Sequence, residues 1–290
     1  MLVQAGIALA VIAMLSWGIG DFLIQKSARR LGDWETLFVI TGFGTIMLIP
    51  FVWRDVPAIF ADRQVLFILL GSAFFLTLSA IFELESFKRG KMAVVEPMLP
   101  FEIPTAAFLA FFVLGDAVTG LQYALIATLI VGLFLVSFKG KFFSKQFLAE
   151  KGVFLGLAGA ALMGVADFML GWGSRIMNPI AANFILNIFM AFCAGFVLLF
   201  RGGVKKTIRD IHDYRGLLLM MALTDNIAWL GYAFAMTVIP IAVATGLSET
   251  SCIIAVLLGI FVNKEKLEPH QKAGLVVALA SAITLAFVTA

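Results

Sequence analysis

Apolar residues in this chain gather into long runs instead of alternating with polar ones. Ten such runs, separated by short stretches holding Lys, Arg, Gly or Pro, occupy residues 4–25, 34–53, 65–87, 92–114, 119–138, 152–173, 180–200, 216–237, 241–262 and 270–289. A spanning helix needs about 20 apolar residues, so each run is long enough to cross a bilayer. The short alternating segments of an outer-membrane barrel are missing from the pattern. A helix satisfies its own backbone hydrogen bonds in lipid, so the runs predict an all-α membrane protein with ten transmembrane helices.

Composition agrees. With 62% hydrophobic residues, 13% charged residues and a mean hydropathy of +1.04, the chain has more apolar surface than a soluble core of 290 residues can hide. No Lys or Arg precedes Lys26, so the first run is expected to be a retained span and not a cleaved signal. Cys193 and Cys252 lie inside apolar runs with no CxxC or metal spacing, and read as packing residues.

Charge adds orientation. The formal net charge is +3, but Lys and Arg are unevenly placed: the odd-numbered loops hold 18 of them, while the even loops and termini hold only Arg54, Arg63 and Arg175. By the positive-inside rule the odd loops are cytoplasmic, both termini lie outside, and the protein sits in the cytoplasmic membrane. The basic balance thus needs no nucleic-acid partner.

A repeat is visible. Gly18, Asp21, Phe22 and Arg29 recur 146 residues later as Gly164, Asp167, Phe168 and Arg175. Asp116, Gln122 and Ala124 recur 149 residues later as Glu265, Gln271 and Ala273. The chain therefore divides into two five-helix repeats, residues 1–140 and 141–290. Because five is odd the repeats must be inverted, and the loop charges agree: Lys88, Arg89 and Lys91 follow the third run, and no basic residue follows the eighth before the ninth begins. Inverted repeats are the architecture of secondary transporters, in which one half rocks against the other around a midplane site. One chain already holds both halves, so a monomer is expected.

These features resemble a known family. The Trp-Gly of "SWGIGDF", the Pro-rich fourth run "PMLPFEIP" and the acidic residues before the fifth and tenth runs, within "LGDAVTGLQ" and "NKEKLEPHQKAG", are similar to the EamA-type members of the drug/metabolite transporter superfamily. The resemblance implies a secondary transporter, often an exporter of amino acids, drugs or other metabolites, without ATP hydrolysis or cofactor. The fourth run departs from the family in being unusually acidic, with Glu96 and Glu102, and Asp21 stands where many relatives carry an uncharged residue.

Ionisable residues inside the spans point to chemistry, because each costs about 2.5–3.5 kcal/mol on insertion scales unless paired or hydrated. Asp225, Glu102 and Glu249 fall nearest the centres of their runs and are the expected substrate or coupling residues. Asn226 adjoins Asp225, and Trp229 and Tyr232 follow it on the same helix. Trp17 and Asp21 are likewise four residues apart, as are Asp225 and Trp229, so each acid shares a helix face with an indole. A ring face beside a carboxylate suits an ammonium group; interfacial anchoring is the competing role for these aromatics. Asp21 and Asp167 lie farther from the centre and are expected, with Trp17, to act as gate or pathway elements. Glu83, Glu85 and Glu96 are close enough to Lys88, Arg89 and Lys91 to form a boundary cluster instead. Asn183 and Asn187 share a face of the seventh run and read as interhelical glue. Pro97, Pro100 and Pro104 make a regular fourth helix unlikely.

The expected function is transport of a small organic metabolite, an amine, amino acid or drug-like cation, by alternating access, with protons as an exchanged ion; efflux is what the family resemblance implies. Facilitated movement of a neutral solute such as a sugar or nucleotide-sugar is the alternative. A membrane-embedded enzyme is remote, since only His212 and His270 are present and neither HExxH nor GxSxG occurs. The absence of GxxxxGK[ST] argues against ATP coupling. The partners expected are the substrate, protons and the bilayer.

Overall fold

The computed structural model describes residues 1–89, 96–137, 151–254, 257 and 267–290. The first repeat comprises α1 (Leu2–Leu31), α2 (Asp33–Val52), the short α3 (Val56–Ala61), α4 (Arg63–Arg89), a 3₁₀ segment (Glu96–Phe101), α5 (Glu102–Leu114) and α6 (Gly120–Ser137). The second comprises α7 (Lys151–Ile176), α8 (Pro179–Phe200), the short α9 (Val204–Asp213), α10 (Arg215–Met236), α11 (Ile241–Ser248) and α12 (Pro269–Thr289). Among the described residues, eight helices are long and apolar enough to cross a membrane and no strand is present.

Local chemistry sets the boundaries. Arg29 and Arg30 occupy the last turn of α1, and Asp33 and Glu35 the first turn of α2, each matching the helix dipole. Between them Gly32, at φ 118°, turns the chain directly from one helix into the next.

The fourth and ninth runs differ from the other eight. They form the shorter apolar helices Met98–Leu114 and Ile241–Ile254. In the fourth, the prolines hold a 3₁₀ segment up to Phe101, and the α-helix starts only at Glu102. Pro104 falls in its first turn, where a missing N–H breaks no helical bond. In the ninth, α11 ends at Ser248 and a turn at Glu249 and Thr250 precedes a further helical stretch to Ile254. The start of the fourth run, the end of the ninth, Lys91, Glu265 and most of the linker between the repeats lie outside the described residues.

The most extensive helix contacts all cross between repeats: α4 with α7, α1 with α10, α6 with α12, α2 with α8, and α5 with α7. Each repeat buries much of its apolar surface against the other. The glycine of the repeated Gly-x-x-Asp-Phe motif explains part of this interlock. A Cβ at Gly164 would collide with the Glu102 carbonyl and stand 2.6 Å from Thr105 Cβ. A Cβ at Gly18 would stand 2.5 Å from Ile254 Cβ. In each repeat the motif glycine is thus where the first helix crosses the interrupted helix of the other repeat, a close approach that small residues permit.

Side-chain contacts tie the loops together at two ends. At one end Lys206 Nζ donates to Leu31 O at 2.5 Å and pairs with Glu35 at 3.7 Å, joining the first and seventh connections. At the other, Asn178 Nδ2 donates to Asp55 Oδ2 at 2.8 Å, joining the second and sixth. Gln122 Nε2 donates to Thr289 Oγ1 at 2.9 Å, which brings the C-terminal helix end to the even-loop side.

Candidate functional site

The site begins with α10, which aligns Asp225, Trp229 and Tyr232 at near-helical spacing. Asp225 stands beside the Trp17 indole of α1. Trp17 thus serves the acid of the opposite repeat and not Asp21 of its own helix. Its ring packs edge-on against Trp229, with centroids 5.1 Å apart, and against Tyr232 at 5.3 Å. The Tyr232 hydroxyl hydrogen-bonds to Thr245 Oγ1 at 2.7 Å, and Asp167 of α7 stands nearby.

A cavity of about 310 Å³ lies beside this aromatic cluster, walled by α1, α2, α4, α7, α8 and α10. Ala28, Asp33 and Thr36 place its mouth at the odd-loop end. Asp225, Trp229, Glu83, Asn183 and Asn187 supply the polar lining, and Ile40, Leu76, Leu186 and Met190 contribute to the apolar wall. Among the described residues, no Lys or Arg lines it.

The remaining predicted residues lie around this cavity without lining it. Glu102 and Glu249 hydrogen-bond to one another at the two helix interruptions. Glu249 stands within electrostatic reach of Asp21, Glu83, Glu102 and Asp167, so it is the hub of an acidic layer. Asp21 and Asp167, in the first helix of each repeat, share Glu249 and Glu83 as neighbours. Asn226 is spent on structure: its Nδ2 donates to Ile40 O at 3.2 Å and Ala222 O at 2.9 Å, and its Oδ1 accepts from Asn187 at 3.2 Å. Gly44 makes room for that amide pair, since a Cβ there would collide with Asn226 and stand 2.6 Å from Asn187 Oδ1.

Sequence reasoning assigned Glu83 to the boundary cluster, whereas it lines the cavity and accepts from Ser79 Oγ at 3.1 Å. The signal was helical phase, because Leu76, Ala80 and Glu83 fall on one face and all three line the cavity. Asn183 and Asn187 line it as well, while Asn187 also serves the interhelical bonding expected of it. The equivalence of Glu102 and Glu249 was missed: 249 minus 102 is 147, between the repeat offsets of 146 and 149.

Charged contacts tie the chain together at the even-loop end. Arg175, at the end of α7, makes a two-pronged ion pair with Asp116, both bonds at 2.9 Å, and donates to Met236 O at 2.7 Å and Ile239 O at 3.1 Å. Asp116 Oδ2 also accepts from the Ile241 amide at 2.8 Å. One guanidinium and one carboxylate therefore join four chain segments. Among the described residues, no group of three or more His, Cys, Asp or Glu is placed to hold a metal ion.

No curated protein matches the sequence. A solved structure titled "Crystal structure of protein" superposes on it with a TM-score of 0.75 at 13% identity, over 98% of this chain and 99% of that one, so the two share a fold. The model of the EamA-like transporter family matches twice, over residues 4–138 and 150–287, one match for each repeat. With a multi-pass helical bundle, a cavity between inverted repeats and that double match, the chain belongs to the EamA-like transporter family, membrane transporters of small solutes.

Proposed function

We propose that this protein is a secondary transporter that exports a small organic cation or zwitterion across the cytoplasmic membrane in exchange for protons. The observation that carries the reading is the cavity, which pairs Asp225 and Glu83 with an indole face and has no basic residue in its described lining. An ammonium group gains from direct charge pairing and from the Trp229 ring, while the apolar wall accepts its hydrocarbon part. Two cations that compete for one set of carboxylates exclude each other, and that exclusion is antiport.

Alternating access follows from the two ends. The mouth at Ala28 and Asp33 faces the odd loops, cytoplasmic by their basic excess, while the Trp17, Trp229 and Tyr232 cluster and the Arg175–Asp116 pair close the other side. Rocking the interlocked repeats would open one end as it closes the other. The acidic layer behind the cavity, with Glu249 at its hub, gives protons a place to bind beside the substrate. The working unit is a monomer, which holds both halves of the site.

Proteoliposome transport tests the reading. An inward proton gradient should drive amine movement, and Asp225→Asn should abolish it. Movement of sugars or nucleotide-sugars, indifferent to pH and to Asp225, would replace the cation reading with neutral-solute transport.

A further inference from the structure

We propose that the cavity takes a linear dication, a diamine or a polyamine segment, with one ammonium at Asp225 and the other at Glu83. The inference rests on the cation reading above and narrows it. It starts from the different origins of the two carboxylates. Asp225 is carried by α10 of the second repeat and Glu83 by α4 of the first. These helices have different main packing partners: α10 rests chiefly on α1, and α4 on α7. Both nevertheless line the same cavity, so the two acids enter it from separate walls.

Asp21 adds a second observation. It stands within electrostatic reach of both Asp225 and Glu83. The negative potential therefore extends from one acid to the other, while Leu76, Ile40, Leu186 and Met163 supply apolar surface in the lining. A monoamine satisfies one end of such a cavity and leaves the other carboxylate facing hydrocarbon. An alkane with an amine at each end satisfies both and lays its methylenes on the apolar wall. Each end also has an auxiliary group: the Trp17 indole stands beside Asp225, and Ser79 Oγ donates to Glu83 at 3.1 Å. Asp33 at the mouth gives an entering cation its first anionic contact.

Charge balance fits the proton exchange. A dication that displaces one proton from each of two carboxylates leaves the site's net charge unchanged.

The experiment is a binding series on the purified full-length protein in detergent. α,ω-Diamines from ethylenediamine to octamethylenediamine are compared by calorimetry with the same diamines acetylated on one nitrogen and with alkyl monoamines. The expected result is an optimum at one chain length, where the free diamine binds about tenfold or more tighter than its mono-acetyl form. Asp225→Asn and Glu83→Gln should each bring free and capped diamines to equal affinity. Equal binding of free and capped diamines to the unsubstituted protein would overturn the dication assignment and leave monovalent amine transport standing. Failure of every amine to bind would sink both readings.

Discussion

Glu102 and Glu249 occupy equivalent places in the two inverted repeats, each at the break in an interrupted helix, and they hydrogen-bond to one another. Two carboxyl groups in contact can share a single proton. The contact also joins the two repeats, so it senses their relative position. Glu249→Gln should therefore uncouple transport from the proton gradient while amine binding in the cavity persists. Glu102→Gln should have the same sign and a smaller effect, because both acids face Glu83 and Asp167 but only Glu249 also faces Asp21. Counterflow with and without a pH gradient separates coupling from binding; a gradient-driven signal retained in Glu249→Gln would remove the pair from the proton path.

The repeated motif glycines make matching predictions. An added methyl at Gly164 meets the Glu102 carbonyl and Thr105 Cβ, and one at Gly18 stands 2.5 Å from Ile254 Cβ. A Cβ atom is fixed to its backbone, so neither clash is relieved by a rotamer change. Gly164→Ala and Gly18→Ala should each cost about 1–3 kcal/mol through overpacking. Thermal unfolding in detergent reads both, and a variant as stable as the unsubstituted protein would contradict the close crossing described here.

Much of this arrangement was legible in the sequence, and for a physical reason. Lipid admits only helices and closed barrels, so long apolar runs without alternation revealed the helices, and loop charge revealed their alternation. The interruption of the fourth run was legible from Pro97, Pro100 and Pro104. That of the ninth was not drawn, although Ser248, Glu249, Thr250 and Ser251 put four polar residues in mid-run. Depth along a helix pointed to Asp225, which does line the cavity. Lateral partners were hidden, because they depend on which helices meet. Sequence proximity to Lys88 and Arg89 placed Glu83 at a boundary, where helical phase turns it inward. The pairing of Trp17 with Asp225 crosses from one repeat to the other, and no spacing rule within one helix reveals it.

The Arg175–Asp116 pair predicts a bias between conformations. It joins the end of α7, the α5–α6 loop, the end of α10 and the start of α11, so opening the even-loop end must strain or break it. Hydrogen bonds to charged groups contribute about 1.5–3 kcal/mol each when partly buried. Asp116→Asn keeps the shape and removes the charge. It should favour opening of this end and raise the alkylation rate of a cysteine introduced by Thr237→Cys about tenfold, the equivalent of 1.4 kcal/mol. An unchanged alkylation rate would mean that the pair only ties loops together.

Trp17→Phe tests the indole itself. The substitution keeps an aromatic ring to pack against Trp229 and Tyr232 but removes the indole N–H beside Asp225. Without that polar neighbour the carboxylate loses a group that orients it toward the cavity. Because most of the buried ring area is retained, thermal stability should fall little. Amine affinity should fall about tenfold or more, as 1.4 kcal/mol converts to a factor of ten. Trp17→Leu should lower both, because it removes ring packing as well as the donor. If Trp17→Phe binds amines as tightly as the unsubstituted protein, the indole acts through packing alone, and Asp225 holds its position without it.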